Sequence, residues 1–218
     1  MAIRGPFGPD DDGRDPQTGL TPRTERRLHS AGTVLLPGGP TIQGRVSGLE
    51  SQPELARSAR LDLKGRVAIV TGVAHGFGRA ICDALVEEGA TVYGCDVNET
   101  GLAETARITG ARTARVDVTS ETAVGRFVEW VASEEGRIDI LVNNAGGVAG
   151  QVGQPVEEVS TADFNRVLEI NLHGAFYFIR AVAPHMKEQR HGRIINITSG
   201  AGRTYSLTGI QAYASAKH

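Results

Sequence analysis

Cysteine is scarce in this sequence of 218 residues: the two thiols, Cys82 and Cys95, form no C-x-x-C pair. Neither a disulfide framework nor a thiolate metal site can be built from them, and no other metal-ligand spacing stands out. A reducing, cytoplasmic setting is the expectation. An excess of charge of one sign is lacking too. The balance of 23 Lys and Arg against 25 Asp and Glu leaves a net charge of -2, with no general attraction to nucleic acid or to a membrane surface. No apolar run approaches the roughly 20 residues that cross a bilayer. The opening MAIRGPFGPDDDGRDPQ has no apolar core of a signal peptide, and its acidic run argues against a transit peptide.

Aromatics are few, and the first 60 residues hold only one, Phe7, beside seven of the nine prolines and nine glycines. Such a stretch buries too little apolar surface to offset its ordering entropy. Residues 1–60 are therefore expected to be a disordered extension, with a small hairpin around 33–39 as the alternative. No internal repeat is visible.

From Leu61 the texture changes. Residues 67–71, VAIVT, form a short apolar run between Gly65 and Gly72, as expected of a strand buried on both faces. Residues 78–88 follow, with an apolar helical stripe of Ala80, Ile81, Ala84 and Leu85 and a stop at Gly89. The pair recurs as strands over 91–96, 113–118, 138–143 and 194–198. The helices between them cover 99–108, 121–135 and about 162–189. Trp130 is expected in the core. Ser160-x-x-Asp163 has capping-box spacing, and Pro184 should kink or end the last helix early. Alternating strands and helices imply an α/β fold, a Rossmann-type doubly wound parallel sheet in three layers over 61–218. Ligands of such sheets bind at the carboxyl ends of the strands.

The first strand runs into TGVAHGFG, where Gly72, Gly76 and Gly78 permit a tight turn and close approach of a pyrophosphate to the next helix. His75 and Phe77 lie in the same turn. Its place between a buried strand and an amphipathic helix favours dinucleotide binding over a purely structural turn. Asp96, 18 residues after Gly78, ends the second strand. A carboxylate there accepts hydrogen bonds from the adenosine ribose and repels a 2′-phosphate, so NAD(H) is preferred to NADP(H). His75, if protonated, would argue the other way; a solvent-facing loop histidine is the plainer reading. Asp117-Val118 closes the third strand, and Asp117 could meet the adenine amino group or equally serve the next helix's N-terminus. At the fourth strand's end, Asn144, Ala145 and Gly146 allow close cofactor approach, though alone they could be a turn. Gly147–Pro155 reads as a flexible, Gly-rich stretch nearby.

Tyr213 and Lys217 stand one helical turn apart, on one face. Tyrosine titrates near pH 10, and a neighbouring ammonium favours the phenolate. That pairing supplies a proton donor for carbonyl reduction and an acceptor for alcohol oxidation. A lone Y-x-x-x-K is more often an ordinary surface contact.

Taken in order, these residues resemble the short-chain dehydrogenase/reductase superfamily. TGVAHGFG is similar to its TGxxxGxG turn, NNAG to its fourth-strand motif and YASAK to its Tyr-x-x-x-Lys pair, over Leu61 to His218. Asn171 in EINLHGAF and Ser199 in NITSGAG fall where the family places a catalytic asparagine and serine. The resemblance implies that Tyr213 exchanges the proton and that Lys217 holds the nicotinamide ribose and favours the tyrosine's phenolate. It further implies that Ser199 orients the substrate oxygen, that Asn171 helps bind a water beside Lys217, and that hydride passes between nicotinamide and substrate carbon. The implied substrate is a small alcohol or carbonyl compound, and the complete protein is expected to be a homo-oligomer.

Two departures stand out. Ser199 and Tyr213 are 14 residues apart, one more than the family spacing, which places an insertion in RTYSLTGIQA; Thr198 is the alternative hydroxyl, though strand alternation would point it to the other side. The family also continues past its lysine with another strand and a substrate-covering segment. The chain is therefore expected to be truncated, with Ile194, Ile195 and Ile197 on an exposed apolar edge. The alternative to an oxidoreductase is a non-catalytic remnant or a dinucleotide-binding module.

Overall fold

The computed structural model describes residues 61–203 and 208–218. The expected extension over 1–60, with its alternative hairpin, lies outside the described residues, as does part of the expected insertion.

Five parallel strands make one sheet in the order β3-β2-β1-β4-β5. They are β1 (Val67–Thr71), β2 (Thr91–Asp96), β3 (Arg112–Arg115), β4 (Ile140–Asn143) and β5 (Arg193–Asn196). All of β1 is buried, because it lies at the centre with helices over both faces. Side-chain alternation divides the core. Ile69, Tyr93, Leu141, Val128 and Phe178 pack on one face, and Ala68, Val70, Val92, Cys82 and Leu102 on the other. Ala68 pairs with Val92 on one side and Ile140 on the other, so the strand order reverses beside β1. A crevice opens at that switch point, beyond the carboxyl ends.

Helices follow the local signals. They are α1 (Gly76–Glu87), α2 (Glu99–Thr109), α3 (Glu121–Glu135), α4 (Thr161–Leu168), α5 (Gly174–Glu188) and α6 (Gln211–Lys217). Asn98, Ser120 and Ser160 each cap a helix by accepting a backbone N–H. The Ser160 hydroxyl also donates to Asp163 Oδ2 at 2.7 Å, beside the expected bond from Asp163 N–H to Ser160 Oγ. Gly110 and Gly136 end α2 and α3 in the left-handed conformation.

One expectation is corrected outright and one in part. Trp130 is 39% exposed: it sits on the flank of α3 with its ring edge-on to Tyr93 at 5.1 Å, covering the core without entering it. Pro184 lies inside α5 without ending it. Pro184 and Arg180, whose carbonyl the missing N–H would have met, are both exposed. A single π-type turn over Glu169–His173 joins α4 to α5.

β5 pairs with β4 alone among the described residues, leaving Ile194 40% and Ile195 47% exposed as expected, whereas Ile197 is half-buried against the core. No described helix is long and apolar enough to cross a membrane.

Candidate active site

The cleft at the switch point encloses about 560 Å³, and the glycine turn, Asp96, the end of β4, Ser199, Tyr213 and Lys217 all border it. A smaller cavity of about 190 Å³ adjoins it, bordered by Val118, Asn143, Asn171, Asn196, Thr198 and Lys217.

The glycine turn is held so tightly that side chains are excluded. A Cβ on Gly72, whose φ is +72°, would lie 2.8 Å from Ala145 Cα. One on Gly78 would press into the Gly72 carbonyl and lie 2.7 Å from Asn144 Nδ2. Gly76, with φ +56°, faces open space instead. Close packing beneath and open space above, at the N-terminus of a 12-residue helix, fit a pyrophosphate. Arg79 fastens the turn from behind, donating to the Ala74 carbonyl, to Thr105 Oγ1 at 2.9 Å and to Glu104 at 2.8 Å. His75 and Phe77 are exposed on the cleft rim, Phe77 by 81%.

Asp96 closes β2 with both oxygens anchored: Oδ2 accepts from Ala74 N–H at 3.1 Å and Oδ1 from Asn98 N–H at 3.0 Å. A carboxylate accepts about four hydrogen bonds, so lone pairs remain for ribose hydroxyls. Asp117 does not border the cleft. It accepts from Thr119 N–H at 2.9 Å and Thr119 Oγ1 at 2.7 Å, a local turn ahead of α3. Those bonds, working against burial, hold its carboxyl below the ordinary value. Val118 is buried and borders the smaller cavity.

The end of β4 is bound to the end of β1. Thr71 Oγ1 accepts from the amides of Asn144 and Ala145 at 3.0 and 2.9 Å, and Asn144 Nδ2 donates to the carbonyls of Thr71 and Gly72. One strand on, Asn143 Nδ2 donates to Asn196 at 2.9 Å, tying β4 to β5.

Asn171 sits in the π turn, buried, and clasps the loop after β4. Its Oδ1 accepts from Gly147 N–H at 3.0 Å and its Nδ2 donates to the Gly147 carbonyl at 2.8 Å. A Cβ on Gly146 would fall 2.5 Å from Asn171 Oδ1 and 3.0 Å from Lys217 Nζ, so glycine lets these groups converge. Lys217 Nζ donates to the Ile197 carbonyl at 2.9 Å and stands 5.8 Å from the centre of the Tyr213 ring. Burial pushes its ammonium below the ordinary lysine value. Ser199 borders the cleft and its Oγ accepts from Ala201 N–H at 3.2 Å. Thr198 follows β5 at the junction of the two cavities.

Of the residues singled out in the sequence, all but Asp117, Val118 and Asn171 border the larger cleft, and Asn171 borders the adjoining cavity through which Lys217 reaches both. Thr71 and Arg79 went unnoticed because their roles rest on contacts across the fold, which spacing does not reveal. The Gly147–Pro155 stretch, expected to be flexible, is instead anchored: Gln151 is only 2% exposed and bonds to Gly209 and Gln211. The two cysteines are buried and unpaired, with burial pushing Cys82 up to about 12 and Cys95 higher still, so both thiols are inert. Among the described residues no group of His, Cys, Asp and Glu could hold a metal ion.

A parallel sheet with a glycine turn, a strand-end carboxylate and a Tyr–Lys pair around one crevice defines a nucleotide-binding α/β protein of the Rossmann type. Residues 66–218 match the short chain dehydrogenase family. The chain is 40% identical over 140 residues to 2-dehydro-3-deoxy-L-rhamnonate dehydrogenase (NAD(+)) of Sphingomonas sp. (strain SKA58), covering 64% of this chain and 55% of that one. It is 40% identical over 169 residues to D-threitol dehydrogenase of Mycolicibacterium smegmatis, covering 75% and 64%. Among solved structures, NAD+-bound xylitol dehydrogenase superposes with a TM-score of 0.65 at 37% identity, over 72% of this chain and 61% of that one. The aldohexose dehydrogenase of Thermoplasma acidophilum gives 0.63 at 31%, over 72% and 58%. The chain belongs to the short-chain dehydrogenase/reductase family and spans between about half and two thirds of the length of these relatives.

Proposed function

We propose that the protein is an NAD(H)-dependent oxidoreductase that interconverts a secondary alcohol and a ketone, with Tyr213 as the acid/base. The observation that carries this reading is the convergence of Tyr213, Lys217 and Ser199 on the cleft that also holds the glycine turn and Asp96. When bound, the nicotinamide group accepts hydride from the alcohol carbon or returns it to the ketone carbon.

The chain's own residues do the rest. In alcohol oxidation the Tyr213 oxygen takes the hydroxyl proton; in ketone reduction it gives the proton back to the carbonyl oxygen. Lys217 places a cation beside the Tyr213 ring, stabilising negative charge on the phenol oxygen as the proton leaves. The Ser199 hydroxyl, facing the same cleft, orients the substrate oxygen by a hydrogen bond. Asn171 fixes Gly147 and the wall of the adjoining cavity, where a water beside Lys217 would carry the proton onward. Asp96 binds the adenosine ribose, and its charge disfavours a 2′-phosphate, which supports NAD(H) over NADP(H). Arg79, already held by Glu104, offers that phosphate no free cation. Two relatives whose names carry NAD support the same preference.

The test is NADH fluorescence binding together with NADH formation from NAD+ over a panel of secondary alcohols and polyols. Tyr213→Phe should abolish turnover while leaving NADH affinity within about three-fold. Turnover that survives this substitution overturns the assignment. NADH binding without turnover on any alcohol or ketone would leave a dinucleotide-binding module.

A further inference from the structure

The loop that leaves β4 carries residues with left-handed backbone at Ala149, Gly150 and Gly153, yet it is not loose. At its centre Gln151 is 2% exposed, an unusual position for a glutamine. Both protons of its Nε2 are used: one goes to the Gly209 carbonyl at 2.9 Å, the other to Gln211 Oε1 at 2.7 Å. Gln211 answers by donating to the Gln154 carbonyl at 2.9 Å, and Gly153 N–H donates to the Thr208 carbonyl at 2.9 Å. Gly209, with φ +58°, lies so close that a Cβ there would fall 2.7 Å from Gln154 N. The segment 148–154 is thus locked onto 208–211. Gln211 is the first residue of α6, and Tyr213 stands two residues further on. At its other end the same loop is clasped by Asn171 through Gly147.

We infer that Gln151 is a positioning residue, which fixes the start of α6 against the β4 loop and so sets Tyr213 and Lys217 relative to Asn171. These bonds hold the first turn of α6 to the β4 loop, while Lys217 on the Ile197 carbonyl holds its other end to β5. Gln151 is the buried tie. Among the described residues its Oε1 has no partner, and burying an unmet acceptor is unfavourable, so the side chain's place there is explained by its two donated bonds. The inference rests on the oxidoreductase reading for its kinetic consequence, since a misplacement of about 1 Å at a reacting group costs on the order of 100-fold in rate.

Gln151→Met keeps the volume and deletes both bonds. Gln151→Glu keeps the shape and turns acceptors toward two acceptors. Gln211→Leu removes the shared bond from the other side. Each is measured in the full chain for kcat, for KM and Kd towards the nicotinamide cofactor, and for amide hydrogen exchange. The expected result is a kcat lowered by about 10- to 100-fold with KM for NAD+ and Kd for NADH within about two-fold. Exchange in α6, read at the Ala214 amide bonded to Ile210, should quicken about 10-fold while β1 and β4 keep their protection. Gln151→Met and Gln211→Leu should be strongly non-additive. An unchanged kcat in an active wild type overturns the inference, as does exchange that quickens equally through the whole sheet. A wild type that turns over no alcohol or ketone defeats the oxidoreductase reading instead. The exchange at α6 then still decides whether Gln151 anchors it.

Discussion

Thr71 and Asn144 hold each other across two strands: the threonine Oγ1 accepts the Asn144 amide at 3.0 Å, and Asn144 Nδ2 donates back to the Thr71 carbonyl at the same distance. With the Ala145 amide also on Thr71 Oγ1, one hydroxyl shapes the floor on which the glycine turn rests. Thr71 is 2% exposed, and Asn144 and Ala145 are half-buried at the cleft. Thr71→Val keeps the shape and leaves two N–H groups unmet, and it should cost about 2–4 kcal/mol in urea unfolding. Thr71→Ser, which keeps the acceptor, should lose about 1 kcal/mol or less. NADH affinity should follow the same order.

The glycines of the turn are predicted to respond to added bulk according to what surrounds each. Gly78→Ala places a methyl against the Gly72 carbonyl and 2.7 Å from Asn144 Nδ2, both fixed. We expect a loss of about 1–3 kcal/mol from overpacking and at least about a 10-fold loss of NADH affinity. Gly125, inside α3 with nothing within 4 Å of its would-be Cβ, is the control. Gly125→Ala should stabilise by up to about 1 kcal/mol and leave NADH binding unchanged. Thermal unfolding with and without NADH checks both.

The difference between those two glycines shows what a sequence carries and what it does not. The strand–helix alternation was legible because a run such as VAIVT suits only a strand buried on both faces, and glycines or capping side chains bound the helices beside the strands. The glycine turn, Asp96 and the Tyr213–Lys217 pair were legible because each role is set by local spacing at a strand end or along one helical turn. Thr71, Arg79 and Gln151 were not, since little near them in the chain marks their partners, most of which lie from 25 to 74 residues away. Trp130 failed for a related reason. Its size argues for burial, but whether a flank residue is covered depends on neighbours that periodicity does not supply.

Cofactor choice is predicted to rest on Asp96. Asp96→Ala removes the charge that opposes a 2′-phosphate, and it also frees the amides of Ala74 and Asn98 to meet one. The ratio of NADH to NADPH affinity should shift toward NADPH by about 10- to 100-fold, since each tenfold is about 1.4 kcal/mol. Adding Glu104→Gln, which loosens the ion pair on Arg79, should extend that shift. Fluorescence titration with both reduced cofactors measures the ratio. An unchanged ratio would mean that the ribose does not sit at the end of β2.

At the opposite end of the sheet Asp139 governs stability in acid. Its side chain is fully buried, and burial alone would raise its pKa. Hydrogen bonds from Arg137 at 2.6 and 2.7 Å, Val67 N–H at 3.0 Å and Arg66 at 3.0 Å outweigh that and hold the carboxyl at about 2. His191 Nε2, 3.7 Å away, adds a further charge when protonated. Because the folded value lies below the unfolded one, the stabilisation is complete above about pH 4 and is lost as pH falls towards 2. A drop from 3.8 to about 2 corresponds to about 2–3 kcal/mol at about 1.4 kcal/mol per unit. Asp139→Asn should therefore be less stable than wild type by about that much at pH 7, softened because Arg66 and Arg137 are 40% and 41% exposed and can hydrate. The gap between the two proteins should narrow steadily below pH 4 in urea unfolding. NADH affinity at pH 7 should be the same for both, since Asp139 borders neither cavity. A gap that stays constant down to pH 2.5 would show that the guanidinium bonds do not stabilise the ionised carboxylate.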